Sequence, residues 1–229
     1  MSFEYDVRQI THGNCMAFDV PITTDDTTGK LTFGTPSEIT GLIDNNFSTS
    51  QNQTPFYADN VTHITLNGSE STTGTIDLYQ VSVPFMSNYL GKKVIVSGDA
   101  GTKPNVVLLN TGTYGAFFYG YQETVTTETG AEYPSWTFYT NVKASAPTGT
   151  STTDTDSITP KTFSIPVTCS TNSAIVDPDN GKAVSEINCD DIDGSLTTII
   201  NGLFGTSPTS TFDDLLNYLI PSSGTTPTP

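Results

Sequence analysis

The sequence is short of charge. Only 14% of its 229 residues are Asp, Glu, Lys or Arg, against about 25% in ordinary soluble domains. Basic residues are scarcest: eight Lys and Arg face 24 Asp and Glu, for a net charge of −16. Those eight (Arg8, Lys30, Lys92, Lys93, Lys103, Lys143, Lys161 and Lys182) are scattered, with only Lys92 and Lys93 adjacent. Tight nucleic-acid binding needs several cations that neutralise phosphates and release counterions. This pattern excludes it, and such a chain repels DNA. Helix-forming Ala, Leu, Glu, Lys and Arg are sparse, which argues against a helical bundle. No apolar run approaches the roughly 20 residues that span a bilayer as a helix. The opening MSFEYDVRQI has no basic stretch followed by an apolar run, so no signal peptide is expected. The three cysteines, Cys15, Cys169 and Cys189, are odd in number and lack CxxC spacing. They read as small buried thiols made in a reducing cytoplasm rather than as a disulfide framework.

Catalytic residues are thin too. The two histidines are His12 and His63. His63 lies in an alternating segment with no nucleophile motif to serve. GxSxG, HExxH and Gly-rich phosphate loops are absent. Asp177-Pro-Asp179-Asn-Gly181 resembles a calcium loop, but its Gly falls one place early and no Glu closes it. Asp190, Asp191 and Asp193 make a second acidic turn, and both turns read better as solvated loops. The sequon at Asn60 carries no weight without a secretory route, and nothing singles out a carboxylate pair for glycoside chemistry. Neither catalysis, a metal nor a cofactor is expected.

What the chain has is threonine, its commonest residue, with many serines and 19 glycines. That composition suits short strands joined by polar turns. Residues 1–12 read as a free arm. Strands follow at Asn14–Val20, Leu31–Phe33 and Glu38–Ile43, and residues 45–60, rich in Asn, Gln, Ser and Thr, form a long loop or an extended hairpin. Val61–Leu66 alternates at period two, and Asn67-Gly68 is placed to close a tight turn. Thr75–Val81 alternates again. Then Phe85/Tyr89 and Met86/Leu90 pair at i,i+4, with Ser82 as N-cap, Pro84 in the first turn and Gly91 as the stop, so residues 82–91 make one short helix. Strands resume at Lys93–Ser97 and Asn105–Leu109. Gly115–Tyr121 is apolar on both faces, as in a strand covered on both sides or packed on a neighbouring subunit. Ser135–Val142 places Trp136, Phe138, Thr140 and Val142 on one face. The low-complexity run 145–160 reads as a mobile loop. In Lys161–Cys169, Phe163, Ile165, Val167 and Cys169 share a face, and Pro166 hints at an edge or bulge. Ala174–Val176 and Ala183–Asn188 flank the turn at 177–181. After Asp193, helical spacing appears at Leu196, Ile199, Ile200, Leu203 and Phe204, then at Leu215, Leu216 and Leu219, ahead of a disordered end. The division expected is an arm (1–12), one β domain (13–194) and a C-terminal extension (195–229).

Several pieces, taken in order, resemble the major tail proteins of long, non-contractile-tailed bacteriophages, in particular the phi13-like family. They are Leu-Thr-Phe-Gly-Thr-Pro (31–36), the segment ending Phe56-Tyr57-Ala58-Asp59-Asn60, and Gly-Ser-Glu-Ser-Thr-Thr-Gly-Thr-Ile-Asp-Leu (68–78). The helix ending at Leu90-Gly91, the aromatic strand 116–121 and Lys161–Thr168 complete the set. The resemblance spans about residues 14–190 and leaves 195–229 outside. It implies an all-β sandwich or barrel flanked by a short helix. Such chains close into hexameric rings that stack into the tail tube, with self-contacts, tape-measure, distal tail and tail terminator proteins as partners. Genomic DNA would pass through without specific binding, no membrane would be involved, and assembly would occur in the host cytoplasm. Under that reading, loop 45–60 and the arm reach the adjacent ring. Phe47, Phe56, Tyr57, Phe85, Tyr89, Phe118 and Tyr119 are candidate subunit-interface residues, and the lumen-facing acids are unassigned. The rival reading is a virion carbohydrate- or receptor-binding β module, in which Trp136 and Tyr139 stack on sugars.

Overall fold

A computed structural model describes residues 9–24, 30–58, 61–97, 105–149 and 160–221. It is an all-β protein with minor helix. The elements in chain order are β1 (Gln9–Thr24), β2 (Leu31–Phe33), β3 (Ser37–Ile39), β4 (Leu42–Ala58), β5 (Val61–Leu78), α1 (Val83–Tyr89), β6 (Lys92–Ser97) and β7 (Asn105–Asn110). Then come β8 (Ala116–Thr127), β9 (Glu132–Ala144), β10 (Thr148–Gly149), β11 (Phe163–Cys169), β12 (Asn172–Val176), β13 (Ala183–Val184), β14 (Glu186–Asp190), α2 (Ser195–Asn201) and α3 (Phe212–Leu219). Ten strands form one antiparallel sheet along the path β2-β1-β8-β9-β11-β5-β4, with β3, β10 and β14 pairing at its margins. Two small sheets, β6-β7 and β12-β13, complete the set.

The long sheet curls, bringing β4 back against β1. One apolar cluster fills the inside of the curl. It joins Phe117, Tyr119, Tyr121, Tyr139, Val142, Ile76, Leu78 and Ile165 to Phe85 and Tyr89 of α1. A second cluster lies on the opposite face of β1, β8 and β9. There Phe18, Phe118, Trp136 and Phe138 meet Leu196 and Ile200 of α2 and Phe212 and Leu215 of α3. Strand β8 is therefore apolar on both faces because its own chain covers both.

Helix α1 forms as its sequence predicts. The Ser82 hydroxyl accepts from the Phe85 N–H at 3.2 Å, and Gly91 takes φ +62° beyond the last turn. The turn at 177–181 also forms, with Gly181 at φ +68° and its N–H donating to Asp177 O.

Several expectations are corrected. Residues 9–12, assigned to the arm, open β1 and pair with β8 from Gln9↔Thr127 onward; residues 1–8 lie outside the described set. Of the two forms expected for 45–60, residues 45–58 take the extended hairpin, as part of β4, and 59–60 lie outside the described residues. Asn67-Gly68 does not turn, because β4 supplies partners straight through it, and Ala58 pairs with Val61. The register instead shifts between Gln51↔Glu70 and Gln53↔Asn67, so the glycine marks a bulge. Trp136, Phe138, Thr140 and Val142 do not share one face. Between Tyr119↔Tyr139 and Phe117↔Val142, β9 carries one residue more than β8. An extra residue reverses the phase of a period-two pattern, so Val142 joins Tyr139 in the first cluster while Trp136 and Phe138 stay in the second. Pro166 lies in an interior strand, but its carbonyl accepts from Ser145 N–H just where the β9–β11 ladder stops at Val167↔Ala144. The missing N–H is the one that would answer the Ser145 carbonyl, so the β9–β11 ladder ends there. Of the run 145–160, Thr148 and Gly149 pair with β11, and 150–159 lie outside the described residues. Among the described residues three helices flank the sheet, α1 and the two short helices expected in the C-terminal extension. Residues 195–220 close the second cluster rather than hang from the domain.

Candidate assembly surfaces

Of the seven aromatics expected at a subunit boundary, most are used up inside the chain. Phe85, Tyr89, Phe118 and Tyr119 are buried, and Phe47 is half-buried. Phe47 stacks on Tyr139 with ring centroids 4.2 Å apart. Phe118 meets Phe212 of α3 edge-on at 5.0 Å. The Tyr119 hydroxyl donates to Asn45 Oδ1 at 2.6 Å, tying β8 to β4 across the interior. These five residues offer a neighbour little or nothing. Phe56 and Tyr57 remain, 48% and 69% exposed.

Both sit on the most unusual surface of the molecule. Strand β5 pairs with β11 only from Thr72 to Leu78. Its earlier residues, 61–71, pair with β4 alone. That two-stranded stretch of eleven residues projects by about 35 Å at roughly 3.3 Å per residue. Near its tip Phe56 is the direct cross-strand partner of Ile64, and Leu66 pairs with Thr54 two residues along. Directly opposed residues share a face, so Phe56, Ile64 and Leu66 make one apolar stripe. Ile64 and Leu66 are each 52% exposed. The alternation at 61–66 is legible in the sequence, but the stripe that Phe56 completes becomes visible only once the register is known.

The sugar-stacking residues have no access to a sugar. Trp136 and Tyr139 are buried, and the Trp136 indole N–H donates to Thr197 Oγ1 at 3.2 Å. His12 Nε2 lies 2.8 Å from Thr126 Oγ1 on an exposed stretch of the β1–β8 ladder. The side chains of Cys15 and His63 lie outside the described residues. Asp191, in the acidic turn 190–193, is buried and accepts from the Leu196 and Thr197 N–H groups at 3.0 and 2.7 Å. It satisfies the open N-terminus of α2. Asp193 accepts from the Ser195 N–H and hydroxyl, which lowers its pKa. Asp177 accepts from the Asp179 N–H at 2.9 Å and from the Asn180 amide. Among the described residues, no group of three His, Cys, Asp or Glu is placed to hold a metal ion. Burial pushes the Cys169 thiol up to about 12, so it stays protonated and unreactive.

Two features have no signal in the residue pattern. Asp19 of β1 is buried with its carboxylate 2.5 Å from the Tyr89 hydroxyl, which donates to it. Burial raises its pKa from 3.8 to about 6, partly offset by that hydrogen bond. The outward face of β4, β5 and β11 is polar and part-exposed: Asp44, Asn46 and Ser48, all exposed, pair with Asp77, Thr75 and Thr73, and these in turn with Ser164, Pro166 and Thr168, while Asp77 is half-buried with its Oδ1 inside. Two carboxylates, Asp44 and Asp77, stand directly opposite each other there.

The sequence profile of a family described as phage tail tube protein matches residues 1–213. The chain belongs to that family. It is a structural component of a phage tail, and membership implies self-assembly into a tube alongside other tail components. No curated protein matches the chain. The matched span runs past 190, where the resemblance was expected to end, and takes in α2 and the first residues of α3. That agrees with the packing, since these helices seal the second cluster of the tail tube domain. No helix among the described residues is long and apolar enough to cross a membrane.

Proposed function

We propose that this tail tube protein closes into hexameric rings, and that the rings stack into the tube of a long, non-contractile tail through which the genome leaves the capsid. The observation that carries the reading is the projecting β4–β5 hairpin, whose apolar stripe none of the described residues covers. A stripe of that kind on a two-stranded ribbon is marginal in water unless something packs on it. The outer side of β4 and the short strand β2 stand at the two ends of the sheet path. Unpaired edges of this kind invite strand addition, and closing them around a ring removes them.

Charge supports the conduit. Six copies carry a net formal charge of −96, −16 from each chain. DNA phosphates approaching such a wall are repelled over about 8–10 Å at physiological salt, so the genome slides without sticking. The polar face of β4, β5 and β11, with Asp44 and Asp77 on it, suits a lining, because its hydroxyl and amide side chains give a base no apolar foothold. Tape-measure, distal tail and terminator proteins would be the other partners, and assembly would take place in the host cytoplasm. The carbohydrate-binding alternative has lost the residues that recommended it, since Trp136 and Tyr139 are inside.

Negative-stain microscopy of the concentrated full-length chain tests the reading. Rings or tubes are the expected result. Particles that stay monomeric at the highest attainable concentration, with sedimentation agreeing, would refute it.

A further inference from the structure

The hairpin β6–β7 stands apart from the large sheet. Among the described strands β6 and β7 pair only with each other, and the element β6 packs on is α1. The root is held by the Thr111 N–H, which donates to Gly91 O at 2.7 Å, and by the Gly115 N–H, which donates to Asn88 O at 3.1 Å. Lys93 is the direct cross-strand partner of Leu109, and Ile95 lies two residues along. Opposed residues and their i+2 neighbours share a face. Lys93 is exposed there, and Ile95 and Leu109 are 40% and 45% exposed. No described side chain of the hairpin belongs to either apolar cluster. A two-stranded ribbon with such a face is marginal in water by itself. Its charge is also of the opposite sign to the chain's: residues 92–110 hold three lysines and one aspartate, in a protein of net charge −16.

A groove of complementary character opens beside α3. It has a volume of about 660 Å³ and lies between the 174–181 hairpin and the outer side of α3. Ile175, Val176, Leu216 and Ile220 give it apolar walls, and its charged side chains are both carboxylates, Asp177 and Asp213. Past Asp213 it opens towards β2 into a more polar hollow with Lys30 and Thr32 on its wall.

Hairpin and groove lie at one end of the sheet and on opposite faces of it. β7 leads into Ala116, which pairs with Ile22, and Ile22 pairs with Phe33 on the wall of the adjoining hollow. The hairpin follows α1, whose Phe85 and Tyr89 fill the first cluster, whereas the groove is built on Ile175 and α3, which close the second. With the sheet between them, a chain does not fill its own groove with its own hairpin. Two complementary surfaces at one height on opposite faces make a heterologous contact that runs around a ring, rather than one that climbs from layer to layer.

We propose that the Lys93/Ile95/Leu109 face of β6–β7 docks in the Asp177/Asp213 groove of the next copy of this chain within the same ring. This rests on the tube reading and names a side-by-side contact for it. Two observations choose a second copy as the occupant. The surfaces match in kind, since a lysine beside exposed apolar side chains meets carboxylates between apolar walls, and opposite signs across a contact offset the repulsion between chains that are both acidic. Membership of the tail tube family implies self-assembly. An anionic lipid surface would also suit a lysine beside apolar side chains, but it leaves the groove without an occupant.

Charge reversal on each side tests it in the full-length chain, by sedimentation across a concentration series and by negative-stain microscopy. Lys93→Glu and Asp213→Lys each set like charges across the contact, and each should raise the concentration needed for rings by about tenfold or more. The double variant, with both signs reversed, should assemble within about threefold of the unaltered chain; a structural fault at one position would not be mended by the other. Asp213 lies in the first turn of α3. If its reversal unfolds that helix, Asn217→Lys sets the cation on the groove from the exposed side of α3 and takes its place in the double variant. Rings from Lys93→Glu at the unaltered chain's concentration would overturn the proposal, and so would a double variant no better than the worse single one. It would also fall if Lys93→Glu kept its rings but lost cosedimentation with phosphatidylglycerol vesicles, since the hairpin's partner would then be lipid. If the unaltered chain makes no rings, the tube reading falls, and the pairing is read from self-association in sedimentation. Self-association that neither reversal weakens overturns the pairing alone, and a chain that stays monomeric overturns both.

Discussion

Replacing Asp19 by Asn should make the isolated subunit more stable at neutral pH, and the gain should disappear in acid. Asp19 is only 4% exposed and its pKa is raised from 3.8 to about 6 by burial. A carboxyl whose folded pKa lies above its unfolded value holds its proton more tightly when folded. Below about pH 4 it is protonated in both states and has no pH-dependent effect. As pH rises from about 4 to 6 the unfolded chain gives up the proton while the folded chain holds it, and stability falls; above that window the folded chain carries a buried anion and the full loss is present. A shift of two units at 1.36 kcal/mol each corresponds to about 3 kcal/mol. Asn is nearly isosteric with the neutral acid, and its carbonyl oxygen still accepts from the Tyr89 hydroxyl. The measurement is urea unfolding of both proteins from pH 3.5 to 8 at concentrations where the chain is monomeric. The variant's advantage should grow by about 3 kcal/mol across that range. For a chain of this size that is roughly 6–12 °C in melting temperature at pH 7.5. An advantage that stays constant with pH would refute the reasoning, since it would mean Asp19 keeps an ordinary pKa. Tyr89→Phe should act oppositely: it removes the donor that lowers the Asp19 pKa, so its penalty should be larger at pH 8 than at pH 5.

Other outcomes follow from the same packing. Gly120→Ala would set a methyl group 2.7 Å from the Phe18 ring and 2.8 Å from the Phe138 ring; overpacking of this kind costs about 1–3 kcal/mol, and an unchanged melting temperature would show that the two rings can give way. Asp191→Ala leaves the Leu196 and Thr197 N–H groups without their acceptor, which should cost roughly 2–3 kcal/mol in chemical unfolding and expose α2 to hydrogen exchange before the strands. Assembly should speed up with added salt, because chains of net charge −16 repel one another and a shorter Debye length weakens that repulsion; light scattering that slows from low to moderate salt would count against the repulsion.

The parts legible beforehand were those with local causes. Ser82, Pro84 and Gly91 bracket α1 because capping and positive φ are properties of a few neighbouring residues. The alternation of Phe163, Ile165, Val167 and Cys169 gave the buried face of β11 directly. Where period two failed, an extra residue intervened, as between Tyr139 and Val142, and a bulge of that kind is a property of two paired strands rather than one. Five of the seven candidate interface aromatics turned inward for a related reason. Phe118 and Tyr119 look alike whether their cover is a neighbouring subunit or α3 and α1 of the same chain. Only the fold shows that the chain covers them itself. Ile64 and Leu66 were legible as strand residues but not as surface, since what exposes them is the end of the β5–β11 ladder at Thr72.

By itself, then, the sequence settled the β character, the one helix with its caps, and the excess negative charge that makes the chain a poor ligand for DNA. These follow from side-chain shape, local hydrogen bonding and formal charge, none of which needs distant partners. Tertiary structure decided which aromatics are core, which stripe is left bare, and where the groove beside α3 opens. Each of those depends on which strands stop pairing and where, and that is set by register between segments far apart in the chain.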